Sequence, residues 1–388
     1  MIDEAKYMSN EKIVLVNAHF YGAKGIAPEA QGLGLVIEEG QIKGFLPESE
    51  IPQDMQRIDM QGCCVAPGLI DVLVNGAGGG AFGVTARFSD LQQMGAALMH
   101  EGTTGFLAAA PSNTLPMYLE MQSQLQAHEA QLPKNFLGMH LEGPYFSMAY
   151  RGAHRADCVR DCTEAELKAL LDKDRHFVRM MSVSPERITD EQVEYLEQHG
   201  IRVSFAHSAA SYDEALRFLA KPHHSVTHLF NGMPPMHHRK PGHIPAIFHL
   251  KPLTGLIVDG VHVAFPMVRM AYDIMPQSLY LFTDGFTQCP EMGVDYDEGH
   301  TCFVRTTPDG SKVLCGSAIS MWQAVCHCVK HVEIPLPEAL AMASLRPAQL
   351  LGLDHVYGSL DAGHMADLLI FEDDLTLKRV MKEGEWQD

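Results

Sequence analysis

The chain has 388 residues, and 29 Lys and Arg against 48 Asp and Glu leave it a net charge of −19. That balance argues against nucleic acid or an anionic membrane as partner, since both select basic faces, but leaves room for an anionic small molecule in a local positive pocket. Hydrophobic residues at 46% and charged residues at 20% describe an ordinary globular chain, with no apolar run of about 20 residues to span a membrane.

The length exceeds the ~100–200 residues usual for one domain, so a large domain with a smaller one is expected. Met1 to Lys12 is polar and acidic, without the apolar region of a signal peptide. The nine cysteines form no Cys-x-x-Cys pair. They read as buried free thiols in a reducing compartment, hence a cytoplasmic protein.

From the N-terminus, residues 13–20, 32–37 and 41–46 read as short strands between Gly and charged turns. Residues 367–371 and 377–380 read alike at the other end, so the two ends are expected to form one small sheet structure. Between them, apolar strands alternate with amphipathic helices. The strands are Cys64–Val74, Gly105–Ala109, Phe136–Leu141, Phe177–Val183, Ile201–Ala206, Ser225–His228, Leu253–Val258 and Leu279–Thr283. Near-continuous apolar runs suit parallel strands buried on both faces. Thr163-x-x-Glu166, Thr189-x-x-Gln192 and Ser211-x-x-Glu214 read as capping boxes, and Gly102 and Gly200 as glycines closing helices.

Eight β/α units predict an α/β fold, a (β/α)8 TIM-type barrel over 63–354. A small β-sandwich domain is expected from 1–62 with 355–388. No G-x-G-x-x-G follows the first strand and no P-loop is present, which removes the dinucleotide and nucleotide readings.

Chemistry in such a barrel sits at the C-terminal ends of the strands. There the chain reads His140-Leu141-Glu142-Gly143-Pro144, Ala206-His207-Ser208, Thr227-His228-Leu229-Phe230-Asn231, Asp259-Gly260-Val261-His262 and Thr283-Asp284-Gly285. A single His or Glu at a strand end is more often structural. Together, Glu142, His207 and His228 make a three-ligand set with a position left open, the catalytic rather than the structural metal arrangement. Asp284 is read as general base and acid, in preference to a turn-capping Asp. His154, in the loop Arg151-Gly152-Ala153-His154, could polarise a carbonyl; a solvent-exposed loop histidine is the alternative. His237 and His238 read as surface or subunit-interface residues, and Arg239 offers a fork for phosphate or carboxylate.

These residues bring a resemblance into view. Pro67-Gly68-Leu69-Ile70-Asp71, Gly102-Thr103-Thr104-Gly105-Phe106, HisLeuGluGlyPro at 140–144 and ThrHisLeuPheAsnGlyMetPro at 227–234 belong to it. ArgLysProGly at 239–242, AspGlyValHisVal at 259–263, Gly316 to Met321 and the closing Gly358-x-Leu360-x-Ala362-Gly363-x-x-Ala366-Asp367 complete it. Over nearly its whole length the chain resembles the amidohydrolase superfamily and, within it, the N-acetylglucosamine-6-phosphate deacetylase family.

The resemblance implies one divalent ion per chain on Glu142, His207 and His228. Zn2+ suits these donors best, while Fe2+, Mn2+ or Co2+ fit them too. It implies Asp284 as base and acid and His154 as the group on the acetyl carbonyl. It places Ala153, Asn231, Gly232, Arg239, Asp259, His262, Leu314, Cys315 and Gly316 with the substrate, and Arg239 across a homodimer interface. The implied substrate is a phosphorylated N-acetylamino sugar, with no nucleic-acid or membrane partner.

Two departures stand out. Leu73-Val74-Asn75 replaces the His-x-His of two-metal members, and no lysine lies within Met180 to Ser184 to bridge a pair of ions. Gly232 and Gly285-Phe286-Thr287-Gln288 stand where the family has alanine-rich residues, which leaves the sugar epimer or acyl group open. Runner-up readings are an N-acetylgalactosamine-6-phosphate deacetylase, a deacylase of another N-acylated small molecule, or a non-catalytic binding protein.

Overall fold

The computed structural model describes residues 12–27, 29, 31–171, 177–307 and 310–387. The expectation about Met1 to Lys12 falls outside them, apart from Lys12.

Eight parallel strands form one sheet in sequence order: β1 Leu69–Val74, β2 Thr103–Pro111, β3 Phe136–Glu142, β4 Val178–Val183, β5 Arg202–Phe205, β6 Ser225–Val226, β7 Leu253–Leu256 and β8 Leu279–Leu281. A parallel bridge between Val74 and Gly285 brings the last strand back to the first, closing the barrel. The (β/α)8 expectation holds. Its interior is filled by Ile70, Val72, Leu107, Ala109, Met180, Ile257, Tyr280 and Phe282, all buried. The barrel is a packed core with its loops free for chemistry.

Several strands end sooner than the apolar runs suggested. β5, β6 and β8 stop short of His207, His228 and Asp284, and these three residues turn into the left-handed region, with φ of 46°, 36° and 48°. Outside glycine such a conformation costs energy and concentrates at functional positions.

The run Cys64–Val74 is not one strand. Cys64–Pro67 pairs antiparallel with Leu368–Phe371 in a terminal sheet, and the barrel begins only at Leu69. Gly68 is the crossing point. A Cβ there would lie 2.1 Å from Thr104 Oγ1, so only glycine lets the chain pass between the layers. The run 13–20 also divides: Ile13–Val16 joins a four-stranded sheet and His19–Phe20 a five-stranded one, with Asn17 turning at φ 55°.

Those two sheets face each other over Ile13, Leu15, Leu35 and Ile37 from one and Phe20, Val65, Leu368, Ile370 and Met381 from the other. This is the β-sandwich built from both chain ends. We propose the division into a discontinuous small domain and a barrel, with the first crossing at Gly68.

The capping boxes at Thr189 and Ser211 form with both bonds. At Thr163 only half the box exists. Its hydroxyl accepts the Glu166 N–H at 3.3 Å, but the Glu166 carboxylate is taken by the Arg160 guanidinium. A third box at Ser320 and Gln323 opens the helix Met321–Val332. After β8 the chain builds an unexpected antiparallel arm of three strands, Val294–Tyr296, Cys302–Thr306 and Lys312–Ser317.

Candidate active site

A pocket opens at the C-terminal mouth of the barrel. It is lined by Asn75, Ser112, Glu142, His154, His207, His228, Asn231, Gly232, His262 and Asp284, together with arm residues Leu314 and Cys315. Glu142 ends β3, and the other two proposed ligands each stand two residues beyond β5 and β6.

Glu142 Oε1 lies 3.4 Å from His207 Nε2 and 3.3 Å from His228 Nε2, and the two imidazole nitrogens are 3.0 Å apart. Donors about 2.0–2.1 Å from one tetrahedral ion stand about 3.3–3.4 Å apart, so this triangle is the size a single divalent ion requires. The His207 Nδ1–H donates to the Tyr150 carbonyl at 2.8 Å, which leaves Nε2 with its lone pair facing the cluster. The His207 ring is also packed edge-on by His154 and His228, at centroid distances of 4.7 and 4.6 Å, and by the tilted ring of Phe146 at 4.5 Å.

His154 competes on distance for a place in the ligand set. Donor atoms of Glu142, His154 and His207 lie within 4.8 Å of one another. Its hydrogen bonding argues otherwise. His154 Nδ1 accepts the Ser112 backbone N–H at 3.2 Å, so in the neutral ring the proton sits on Nε2. That Nε2 stands 3.7 Å from Glu142, farther than the other two imidazoles. The geometry makes it a donor aimed into the pocket.

Charge follows the same division. Burial by itself raises the Glu142 carboxyl, but the imidazoles of His154, His207 and His228 outweigh it and hold the group well below the usual carboxylate range. Asp284 moves the opposite way. Burial first, then the negative charges of Glu142 and Asp71, push it well above the usual carboxylate value, although Asn75 Nδ2 donates to its Oδ1 at 2.7 Å. Burial also lowers His154 and His228, favouring neutral rings.

Beneath the site, His140 points into the barrel rather than the pocket. Its ring nitrogens meet the Val72 carbonyl and Ser182 Oγ, both at 2.8 Å, and burial lowers its pKa to about 4.

Not every residue expected near substrate lines the pocket. Asp259 stands behind it: its carboxylate accepts from His262 Nδ1 at 2.5 Å and from the Val261 and His262 backbone N–H groups, so it orients His262. Gly316 packs against the Asp284 backbone, where a Cβ would lie 2.7 Å from Asp284 O. Arg239 is exposed and donates to His238 at 2.7 Å, outside the pocket of its own chain. Gly232 does line it, at φ 60°. A Cβ there would approach His207 Nδ1 to 2.6 Å, so glycine is what lets this turn lie on the imidazole. Asn75, Ser112, Arg155 and Met292 also line the pocket, and none was assigned a substrate or catalytic role from sequence; Phe286, from the stretch read as bearing on the substrate, lines it too.

The Amidohydrolase family model matches residues 64–387. An N-acetylglucosamine-6-phosphate deacetylase from Haemophilus influenzae is 30% identical over 97% of this chain and 100% of its own. An N-acetylgalactosamine-6-phosphate deacetylase from Escherichia coli O157:H7 is 29% identical over 90% of this chain and 93% of its own. Among solved structures, a variant N-acetyl-D-glucosamine-6-phosphate deacetylase from Mycobacterium smegmatis, in complex with N-acetyl-D-glucosamine-6-phosphate, superposes with a TM-score of 0.83. It shares 28% identity over 97% of this chain and 99% of that one.

Proposed function

That this chain belongs to the amidohydrolase family and, within it, to the N-acetylglucosamine-6-phosphate deacetylases is the premise from which we propose its reaction. It hydrolyses the acetamide of N-acetylglucosamine 6-phosphate to glucosamine 6-phosphate and acetate. The observation that carries this reading is the Glu142, His207 and His228 triangle sharing one pocket with Asp284 and the donor face of His154.

Glu142, His207 and His228 hold one divalent cation, Zn2+ by preference, with Fe2+, Mn2+ or Co2+ able to use the same donors. Bound there, the ion supplies Lewis-acid polarisation and lowers the pKa of water. Asp284, steadied by Asn75, accepts the proton of the attacking water and returns it to the departing amine nitrogen. His154 donates from Nε2 to the acetyl oxygen as negative charge develops on it. His262, braced by Asp259, contacts the sugar phosphate together with Ala153, Asn231, Gly232, Leu314 and Cys315.

The exposed position of Arg239 supports a homodimer in which each chain extends this arginine toward the pocket of the other. All nine cysteines are free, which supports a cytoplasmic setting, and no helix among the described residues is long and apolar enough to cross a membrane.

The second reading, N-acetylgalactosamine 6-phosphate as substrate, is favoured by the Escherichia coli relative. The test is free-amine release from N-acetylglucosamine and N-acetylgalactosamine, each with and without 6-phosphate, by the metal-loaded full chain. N-acetylglucosamine 6-phosphate is expected to turn over fastest. Preference for the galactosamine epimer selects the second reading, and equal rates with and without phosphate refute a phosphate pocket.

A further inference from the structure

His154 stands farther along the chain from its strand than any other proposed participant in the chemistry. It stands twelve residues beyond Glu142, in a loop whose nearest regular element is the short 3-10 turn Met148–Tyr150. Its ring is placed by the Ser112 N–H and by edge-on contact with Phe146 at 5.0 Å. Its backbone has a more distant support. The carbonyl of Ala153, in the peptide bond that leads into His154, accepts from Arg305 Nη1 at 2.7 Å.

Arg305 lies on Cys302–Thr306, the central strand of the antiparallel arm, and is half-buried. Ala153 O is the hydrogen-bond acceptor the structure gives this guanidinium among the described residues. The next strand of the same arm brings Leu314 and Cys315 to the pocket wall. That strand is rooted on the Asp284 backbone: the Ser317 N–H donates to Asp284 O at 3.0 Å, and Ser317 Oγ donates to Thr283 O at 2.6 Å. One small sheet therefore grips the chain at Asp284 and, through a single side chain, at His154.

We propose that Arg305 is a positioning residue for amide hydrolysis, latching the arm to the Ala153 carbonyl and so fixing where His154 presents its Nε2–H. The proposal rests on the reading of His154 as the group on the acetyl oxygen. Misplacing such a donor by about 1 Å costs on the order of 10²-fold in rate, so the contact matters without touching substrate.

Arg305→Met, Arg305→Lys, His154→Ala and the double variant Arg305→Met/His154→Ala are compared as metal-loaded full chains on N-acetylglucosamine 6-phosphate. Arg305→Met is expected to lower kcat by about 10- to 100-fold with KM and metal content unchanged. Arg305→Lys should recover a large part of the loss, since an ammonium can still donate to the carbonyl. In the His154→Ala background Arg305→Met should add almost nothing, because it acts through His154. Hydrogen exchange across residues 144–160 of the metal-free chain should rise in Arg305→Met, a readout independent of turnover.

Full additivity of the two substitutions would overturn the proposal, as would a rise in KM confined to the phosphorylated substrate, which marks direct contact with the sugar. Unchanged turnover in His154→Ala would instead refute the role of His154 itself. The two failures are thus distinguishable.

Discussion

The two sides of the barrel mouth share a backbone feature and differ in what they do with it. On one side, His207 and His228 turn out of β5 and β6 with positive φ and meet Glu142 at metal-ligand spacing. On the other, Asp284 turns out of β8 in the same conformation and meets the amide of Asn75, with apolar Leu73 two residues before it on β1. The first side gathers lone pairs around one point. The second pairs a carboxylate with a hydrogen-bond donor, and beside Asp284 stand the neutral Asn75 amide and the apolar Leu73 side chain. We propose from that difference amidohydrolase chemistry with a single ion: where a second ion would stand, Asn75 donates to Asp284, the proposed base.

The strongest way to break the comparison is to damage the ligand side. His228→Ala or His207→Ala should remove metal and activity together, read by metal analysis and acetate release. Activity surviving at full metal content would move the ligand set elsewhere.

On the opposite side the two losses should separate. Asp284→Asn is nearly isosteric and should keep the metal while the rate falls by ~10²–10⁴, as expected for a lost general acid–base group. Retention of more than about a tenth of parental turnover would remove Asp284 from the mechanism. Asn75→Leu takes away one hydrogen bond to a buried carboxylate. At ~1.5–3 kcal/mol for a bond to a charged group, a loss of about 10- to 100-fold is expected, again with metal retained. A metal-depleted Asn75→Leu protein would show that Asn75 belongs to the ligand side after all.

The smallest effect concerns stability. Asp71 is fully buried behind Asp284, and burial raises it to about 7 although Thr283 and Leu73 donate to its carboxylate. A carboxyl raised in the folded state favours folding most below its unfolded value of ~3.9, and that contribution is lost as pH climbs through about 7. Asp71→Asn should therefore gain stability relative to the parent between pH 5 and pH 8, measured by urea unfolding. A pH-independent difference would mean that Asp71 stays ionised throughout.

How much of this was legible in the sequence depended on whether a feature was local. Buried parallel strands are apolar on both faces, so the eight runs stood out, and the polar residues ending five of them marked the mouth. The same logic misled at Cys64–Val74: both halves are buried, so nothing apolar or polar announced that the chain changes sheets at Gly68. The arm of 294–317 was invisible because its strands are short, half-exposed and interrupted by charges such as Asp295, Arg305 and Lys312. The roles of Asn75 and Arg305 depend on partners 209 and 152 residues away, and no spacing within either segment encodes those contacts. Asp259 was expected to contact the substrate, whereas the fold places it behind His262, outside the pocket lining.

The most direct measurement is the number of divalent ions held by each purified full-length chain, taken alongside the same count for Leu73→His/Asn75→His. One tightly bound ion per parent chain is expected, because the ligand triangle stands on one side of the mouth and Leu73 and Asn75 deny a second site on the other. Restoring His-x-His there should raise the double variant toward two. Two tightly held ions in the parent chain would contradict the division of the site into a metal side and a proton-transfer side.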